Sequence, residues 1–299
     1  MKILVVFTGG TICSTLQNGV IDVDNKKPYT LLEKYKAIND SIQFDTIEPY
    51  FILSENLSVE HILKLYNCVK DNLSKDYDAI IVVHGTDTLH YSASALKIML
   101  GEIDIPVLFV SSNFPLEDSR ANGFDNFCGA IDYVNQNINP SVYVVYKNSG
   151  EEVALHSPEK LLDYDAFSDK LRSIEKEIVD KNKPGLNDYK LSCNSKVLRL
   201  KSSVGMDYPT LNDEKCVMIE TYHSGTLKTD DNKFFEFVKY ADSKKIPVVL
   251  TGVSSGDVYN SAKDFSVINN IVMSTYSPIY TYMKCWILSD NNLDIKTHL

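Results

Sequence analysis

The stretch ILVVFTGGTI, residues 3–12, decides the fold that we expect. Its apolar half is rich in β-branched residues and does not alternate, as is typical of a strand buried on both faces of a parallel sheet. A turn of glycine and threonine follows at once. The arrangement recurs in AIIVVHGTDT, residues 79–88. Because sites in open α/β sheets form at the carboxyl ends of strands, the sequence predicts that the two turns lie side by side.

Thr11, Thr86 and Asp87 bring two hydroxyls and a carboxylate to these turns. A threonine hydroxyl becomes a nucleophile when a neighbouring group takes its proton. The pattern therefore points to nucleophilic catalysis by threonine. The alternative is that the first turn only reverses the chain and that Asp87 caps a helix.

The composition excludes several classes of protein. The chain has 299 residues, a formal charge of −10, and 44% hydrophobic and 23% charged residues, which suits two globular domains. No basic stripe favours nucleic acid, and no apolar run approaches the roughly 20 residues that cross a membrane. The six cysteines are scattered, so we expect reduced thiols, no disulfide framework and no metal site. No leader peptide is visible at Met1, so we expect a cytoplasmic protein.

Alternating strand and helix signals predict an α/β fold. We expect a larger N-terminal domain with a mostly parallel, doubly covered sheet over 1–185, a linker over 186–214, and a smaller C-terminal α/β domain over 215–299. The polar stretch Ser14–Pro28 is too long for a tight turn and is predicted to be a lid loop. The predicted strands are Ile3–Phe7, Tyr50–Leu53, Ala79–Val83, Ile105–Val110, Val142–Tyr146, Cys216–Glu220 and Pro247–Thr251.

The turns TGGTI at 8–12 and HGTDT at 84–88 make the chain resemble the bacterial-type L-asparaginase family. The resemblance continues through Ser54-Glu55-Asn56, Ser111-Ser112-Asn113 and the C-terminal half, so it covers nearly the whole chain. It implies hydrolysis of L-asparagine to L-aspartate and ammonia through a threonyl acyl-enzyme. It implies no cofactor, and it does not distinguish asparagine from glutamine as the substrate.

The resemblance also implies roles for individual residues. Thr11 would be the nucleophile, and Thr86 with Asp87 would activate water or assist acylation. Ser54 and Glu55 would hold the α-carboxylate and the α-amine of the substrate.

Three further positions match the family through neighbouring residues. Ser112 lies where the family places a small residue whose backbone touches the leaving amide, and Tyr29 matches the lid tyrosine. Thr226 matches the residue that contacts the α-amine from a neighbouring protomer. The resemblance therefore implies a homodimer or homotetramer. A further turn of this predicted C-terminal domain, Ser255-Gly256-Asp257, follows the predicted strand Pro247–Thr251.

The chain departs from the family at the catalytic lysine. Where the family has that lysine, this chain has Val153–Ser157, although Asp165-Ala166-Phe167 is retained. In the family, the lysine stands close to the threonine–aspartate pair and assists its proton transfer, and we call these groups the proton relay. Lys160 lies between the two segments and is our candidate for this lysine. The alternative is that Lys160 is an ordinary solvated lysine and that the relay lacks a cation.

Other functions remain open at this point. The departure at the lysine is compatible with an amino-acid-binding protein that does not turn over its ligand. A tRNA-dependent amidotransferase component shares the asparaginase core, but basic elements for tRNA contact are not evident. A nucleotide-binding loop at Thr8–Thr11 is disfavoured because the G-x-G-x-x-G spacing is missing.

Overall fold

The computed structural model describes residues 1–17, 19–23, 27–164, 167–175, 188–253 and 259–299. The chain divides into two compact units, Met1–Ser173 and Ile174–Leu299. Each unit combines helices with a largely parallel sheet, so the predicted α/β class is confirmed. Within the described ranges, no helix has the length and apolar character needed to span a membrane.

The first unit holds eight strands and four helices among its described residues. The strands are Lys2–Phe7 (β1), Ser14–Gln17 (β2), Val20–Val23 (β3), Gln43–Ile47 (β4), Ala79–Val83 (β5), Val107–Val110 (β6), Val142–Lys147 (β7) and Val153–His156 (β8). The helices are Lys27–Lys36 (α1), Val59–Lys70 (α2), Leu89–Leu100 (α3) and Gly123–Asn135 (α4).

Six of these strands form one sheet in the order β4-β1-β5-β6-β7-β8. All pairs are parallel except β7 with β8. Leu4 and Val5 of β1 point to opposite faces and are both fully buried, so the sheet is covered on both sides. The register pairs Phe7 with Val83, and β1 and β5 therefore end at the same level.

Two segments before α2 differ from the sequence predictions. Residues 50–53 do not form a strand, because Ile52 pairs with the turn after β1 through an isolated bridge to Gly9. The strand that pairs with β1 at this edge of the sheet is β4 instead. The predicted lid loop contains the β2–β3 hairpin, in which Ser14 pairs with Val23. Residues 18 and 24–26 of that stretch lie outside the described residues.

The described elements of the second unit are Val197–Lys201 (β9), Cys216–Glu220 (β10), Lys233–Ser243 (α5), Val248–Thr251 (β11), Ile271–Ser274 (β12), Pro278–Asp290 (α6) and Ile295–His298 (α7). The four strands form a separate parallel sheet in the order β12-β11-β10-β9. Alternate residues of β10 pack on opposite sides of this sheet: Val217 contacts the cluster around Phe234, and Met218 contacts the cluster around Cys285.

The division of the chain lies earlier than the predicted boundary at residue 185, since the first unit ends at Ser173. The range 186–214, which we predicted as a linker, contains β9. This strand is short and has a charged residue, Arg199, in its middle. It therefore lacks the continuous apolar run by which the other buried strands were predicted. Arg199 lies 2.5 Å from a carboxylate oxygen of Glu220 on the neighbouring strand β10.

Candidate active site

The turns after β1 and β5 touch each other through glycine. A methyl group added to Gly10 would lie 2.2 Å from the Cα of Gly85. No side chain fits between two backbones at that distance. The contact brings together the chain segments that continue into Thr11 and Thr86, as the sequence predicts.

The first turn also needs glycine for its backbone conformation. Gly9 and Gly10 have φ values of +99° and +78°, a region that side chains disfavour. Backbone hydrogen bonds with Ile52 also hold this turn in place. The Gly10 amide donates to the Ile52 carbonyl at 2.8 Å, and the Ile52 amide donates to the Thr8 carbonyl at 3.1 Å.

Thr11 begins a short 3₁₀ turn, Thr11–Cys13, directly after these glycines. Thr11 is partly exposed, whereas Ile12 and Cys13 are buried. Burial holds the pKa of the Cys13 thiol well above its ordinary value, so that thiol stays neutral. The Ser14 hydroxyl donates to the Gly10 carbonyl at 2.8 Å and anchors the turn. Thr11 is therefore the partly exposed residue of a turn whose next two residues are buried.

Thr86 and Asp87 line a cavity of about 490 Å³ in the first unit. Their backbone is tied to the start of α3, because the Leu89 amide donates to the Thr86 carbonyl at 3.2 Å. Burial raises the pKa of Tyr164, and the charge of Asp87 adds to this rise. The other described residues that line the cavity are His90, Tyr91, Asn113, Tyr146, Asp163, Tyr164, Ser168 and Asp169.

Ser54 and Glu55 lie in a second 3₁₀ turn, Ser54–Asn56. Ser54 is buried against the second glycine turn, since a methyl group on Gly85 would lie 2.5 Å from the Ser54 Cβ. The Thr88 hydroxyl donates to the Ser54 carbonyl at 2.9 Å. Glu55 is exposed. The structure thus places Ser54 directly beside the turn that carries Thr86.

Ser112 follows β6 and is fully buried. Its hydroxyl donates to the Phe114 carbonyl at 2.6 Å and accepts from the Gly123 amide at 3.1 Å. Asn113 and Asn122 then exchange backbone-to-side-chain hydrogen bonds of 2.9 and 3.2 Å. These bonds fix the loop, and the Ser112 hydroxyl both donates and accepts within it.

His84 joins the end of β5 to helix α3. It is buried, with Nδ1 at 2.8 Å from the Gly85 carbonyl and Nε2 at 2.9 Å from the Ser92 hydroxyl. Burial lowers the pKa of His84 to about 4. A neutral ring with both nitrogens engaged supports the turn.

Lys160, the candidate for the family's catalytic lysine, is not found at the cavity that Thr86 and Asp87 line. Lys160 ends the 3₁₀ turn Pro158–Lys160 and is not among the described residues that line the Thr86–Asp87 cavity. His156, in the segment where the resemblance expects a lysine, has Nδ1 at 2.9 Å from the Ser173 hydroxyl. Asp165 and Ala166 lie outside the described residues.

Sequence reasoning missed most of the residues that line this cavity, among them His90 and Asp163. His90 Nε2 lies 3.0 Å from Asp163 Oδ1. A signal for His90 exists in the sequence, because it stands in the first turn of α3, directly after the turn that carries Thr86 and Asp87. Asp163 carries no such signal, since it belongs to an irregular segment far along the chain.

Tyr29 and Thr226 lie outside this cavity. Tyr29 is in α1, 47% exposed, with its ring 6.4 Å from that of Phe7. Thr226 belongs to the second unit, where its hydroxyl lies 3.0 Å from that of Ser224. The turn 255–257 lies outside the described residues.

Comparisons with known proteins show what the chain and its fold are similar to. A family model described as "Asparaginase, N-terminal" matches residues 2–169. The chain is 26% identical to a glutamyl-tRNA(Gln) amidotransferase component of Methanobrevibacter smithii, over 97% of this chain and 73% of that protein. Its fold resembles the thermostable L-asparaginase from Thermococcus kodakarensis, with a TM-score of 0.76, 20% identity, and 98% and 94% of the two chains covered. The L-asparaginase I of Vibrio cholerae gives a TM-score of 0.72 at the same identity and coverage.

Proposed function

Because this chain belongs to the asparaginase family, we propose that it hydrolyses the side-chain amide of L-asparagine to L-aspartate and ammonia. The observation that carries the proposal is the contact between Gly10 and Gly85, which joins the turns bearing Thr11 and Thr86. A hydroxyl nucleophile and a second hydroxyl with an adjacent carboxylate are the groups that acyl transfer needs.

In the proposed first step, the Thr11 hydroxyl attacks the amide carbon and gives up its proton. The carbon–nitrogen bond breaks, and the amide nitrogen takes that proton and leaves as ammonia. The product is an ester between Thr11 and the acyl group. In the second step, water attacks the ester with Thr86 and Asp87 accepting its proton, and the proton returns to Thr11 as the acid departs.

The proposed binding groups surround these turns. Ser54 and Glu55 hold the α-carboxylate and the α-amine, and the backbone of Ser112 faces the amide. Tyr29 covers the substrate, and Thr226 of a second copy approaches it, so a dimer or tetramer completes the site. No cofactor takes part. The burial of Ser54 against Gly85 supports its part in this arrangement.

The relay is assigned to Thr86 and Asp87. Lys160 is not among the described lining residues of their cavity, so the proposal gives it no step. The described lining contains no lysine or arginine. This feature also favours the alternative of a family member that binds an amino acid without turnover.

L-Glutamine is the second candidate substrate. The relative from Methanobrevibacter smithii and a second from Methanococcus maripaludis, 22% identical over 88% of this chain, are both named as components of a glutamyl-tRNA(Gln) amidotransferase. Their names indicate amide chemistry on a glutamyl group. An amidotransferase role would use the same threonines with a substrate that is one methylene longer.

Ammonia release from L-asparagine and from L-glutamine tests the proposal. Thr11→Val keeps the volume and the branching but removes the hydroxyl, and we expect turnover to fall by on the order of 10³ or more. Thr46→Val, on the edge strand β4, is the matched control and should retain full activity. A Thr11→Val protein that folds and hydrolyses either amide at the wild-type rate would refute the assignment. A folded wild-type protein without turnover on both amides would favour the binding protein.

A further inference from the structure

Asn113 brings an amide side chain to the cavity that Thr86 and Asp87 line. Among the described lining residues, Asn113 and His90 are the two whose side chains carry nitrogen. His90 Nε2 is paired, at 3.0 Å from a carboxylate oxygen of Asp163, and His90 Nδ1 is a buried atom. Asn113 is therefore the residue of the described lining whose side-chain N–H groups a ligand oxygen can meet.

The sheet brings Asn113 to the edge where Thr86 lies. Strand β6 runs parallel to β5, and Val110 pairs with Val83 in the register of the two strands. Thr86 and Asn113 each follow this pair by three residues. Because the carboxyl ends of parallel strands meet at one edge, both residues reach the same cavity.

Hydrogen bonds determine the orientation of the Asn113 amide. The Asn122 backbone amide donates to Asn113 Oδ1 at 3.2 Å, and the Asn113 backbone amide donates to Asn122 Oδ1 at 2.9 Å. A backbone N–H only donates, so the oxygen of Asn113 must face it, and Nδ2 occupies the other branch of the amide. No residue of the described ranges bonds to this Nδ2, and it is not a buried atom.

The loop holds this donor in place before any ligand binds. Asn122 is buried, and its Nδ2 donates to the Lys147 carbonyl at 2.7 Å. The Ser112 hydroxyl, next to Asn113, donates to the Phe114 carbonyl at 2.6 Å. A donor that is already fixed loses little conformational entropy when it binds, and it needs no reorganisation when charge develops on its acceptor.

We propose that Asn113 is a further substrate-binding residue of the proposed hydrolysis, on which this inference rests. Its Nδ2 donates to the oxygen of the side-chain amide of the substrate, and Asn122 positions it. When Thr11 attacks the amide carbon, the π electrons of the C=O bond move to this oxygen, which becomes an oxyanion. A hydrogen bond to a charged acceptor is stronger than one to a neutral acceptor, so Asn113 stabilises the transition state more than the substrate.

Two substitutions remove the donor in different ways. Asn113→Asp keeps the shape and an acceptor for the Asn122 amide, but it adds a charge. Asn113→Ala adds no charge, but it loses that acceptor. An effect that both variants share therefore reports the loss of the donor. Asn135→Asp, at the exposed end of α4, is the matched control for the same substitution outside this cavity.

Titration calorimetry with L-asparagine and L-glutamine, on proteins that also carry Thr11→Val, measures affinity without turnover. We expect the dissociation constant to rise by at least about fivefold in both Asn113 variants and to stay unchanged in Asn135→Asp. Thermal midpoints of the same samples verify that the proteins are folded. The inference is overturned if either Asn113 variant binds as well as its parent, or if the Thr11→Val protein binds neither amino acid.

Ammonia release in proteins with Thr11 intact tests the role in the transition state. Both Asn113 variants should lose about 10²-fold or more of kcat/KM, with the larger part of the loss in kcat. The reason is that the hydrogen bond strengthens as the oxygen becomes charged. A loss confined to KM would overturn the inference, because the donor would then act on substrate and transition state alike.

The two measurements separate this inference from the proposed function. Turnover that is the same in wild type and in both Asn113 variants refutes the role of Asn113 and leaves the proposed hydrolysis standing. Amino-acid binding that depends on Asn113, in a protein whose wild type has no turnover, refutes the hydrolysis. Asn113 would then be a residue of a carboxamide-binding site.

Discussion

Gly10 and Gly19 have nearly the same φ, +78° and +79°, but different surroundings. A methyl group on Gly10 would lie 2.2 Å from the Gly85 backbone, whereas one on Gly19 would have no heavy atom within 4 Å. With ψ at −178°, Gly10 also occupies a backbone region that is essentially reserved for glycine. Gly10 therefore combines a strained backbone conformation with a close approach, whereas Gly19 has only the positive φ.

We predict that Gly19→Ala lowers the free energy of unfolding by about 1–2 kcal/mol, the cost of a side chain at positive φ. Gly10→Ala should lower it by at least about 3 kcal/mol, because two backbones must also move apart. Urea denaturation of both variants measures the difference. Equal losses would contradict the close contact between the turns.

Asp87→Asn tests the proposed proton relay by replacing one carboxylate oxygen with an amide nitrogen. The amide has nearly the same shape as the carboxylate but does not accept a proton. We expect a folded protein whose ammonia release falls by about 10² or more. If Asp87 only caps the helix, the thermal midpoint should drop while the activity per folded molecule is retained, so both quantities are measured on the same sample.

Residues next to the strand ends could be predicted, and those on irregular segments could not. Thr11 and Thr86 follow buried strands directly, so strand pairing places their turns together. Asp163 reaches the cavity that Thr86 lines from a segment after β8 that has neither periodicity nor a fixed length. Its position depends on tertiary contacts such as the one with His90, which a single sequence does not encode locally.

At the scale of elements, His84 is the link between β5 and α3, and it makes stability depend on pH. Burial lowers its pKa from 6.5 to about 4. Above pH 6.5 the ring is neutral in both states and has no effect. As the pH falls from 6.5 towards 4, the unfolded chain binds a proton that the folded protein excludes, so stability declines.

We predict that this residue contributes a loss of about 2 kcal/mol between pH 7 and pH 5. Urea denaturation at both pH values, in wild type and in His84→Gln, isolates the contribution, since other titrating groups are common to the two proteins. The variant should lose correspondingly less stability than the wild type over this interval. Parallel losses in both proteins would show that His84 does not titrate as proposed.

The buried parallel strands were the elements that sequence reasoning located best. Ala79–Val83 and Cys216–Glu220 have the predicted bounds, because each is an apolar run ended by a turn residue. The run Tyr50–Leu53 has similar composition but forms no strand. Its Ile52 bonds to the glycine turn instead, a competition between partners that composition does not reveal.

At the scale of the whole molecule, the proposed function requires at least two copies of the chain, with Thr226 of one copy serving the site of another. Light scattering should therefore give a mass at least twice 33.7 kDa. Specific activity should fall on dilution as the copies separate. A monomer with full activity at the assay concentration would contradict this prediction.

The order of the strands in the first sheet differs from the order in which they are synthesised. β1 leaves the ribosome before β4 and β5, yet it lies between them in the sheet, so its second ladder waits until residue 83 has been made. At about 5–20 residues per second, the wait from Phe7 to Val83 is roughly 4–15 s. During this time one edge of β1, which is apolar from Ile3 to Phe7, has no partner strand. Nascent chains of this protein are therefore expected to depend on chaperones that shield β1 until β5 emerges.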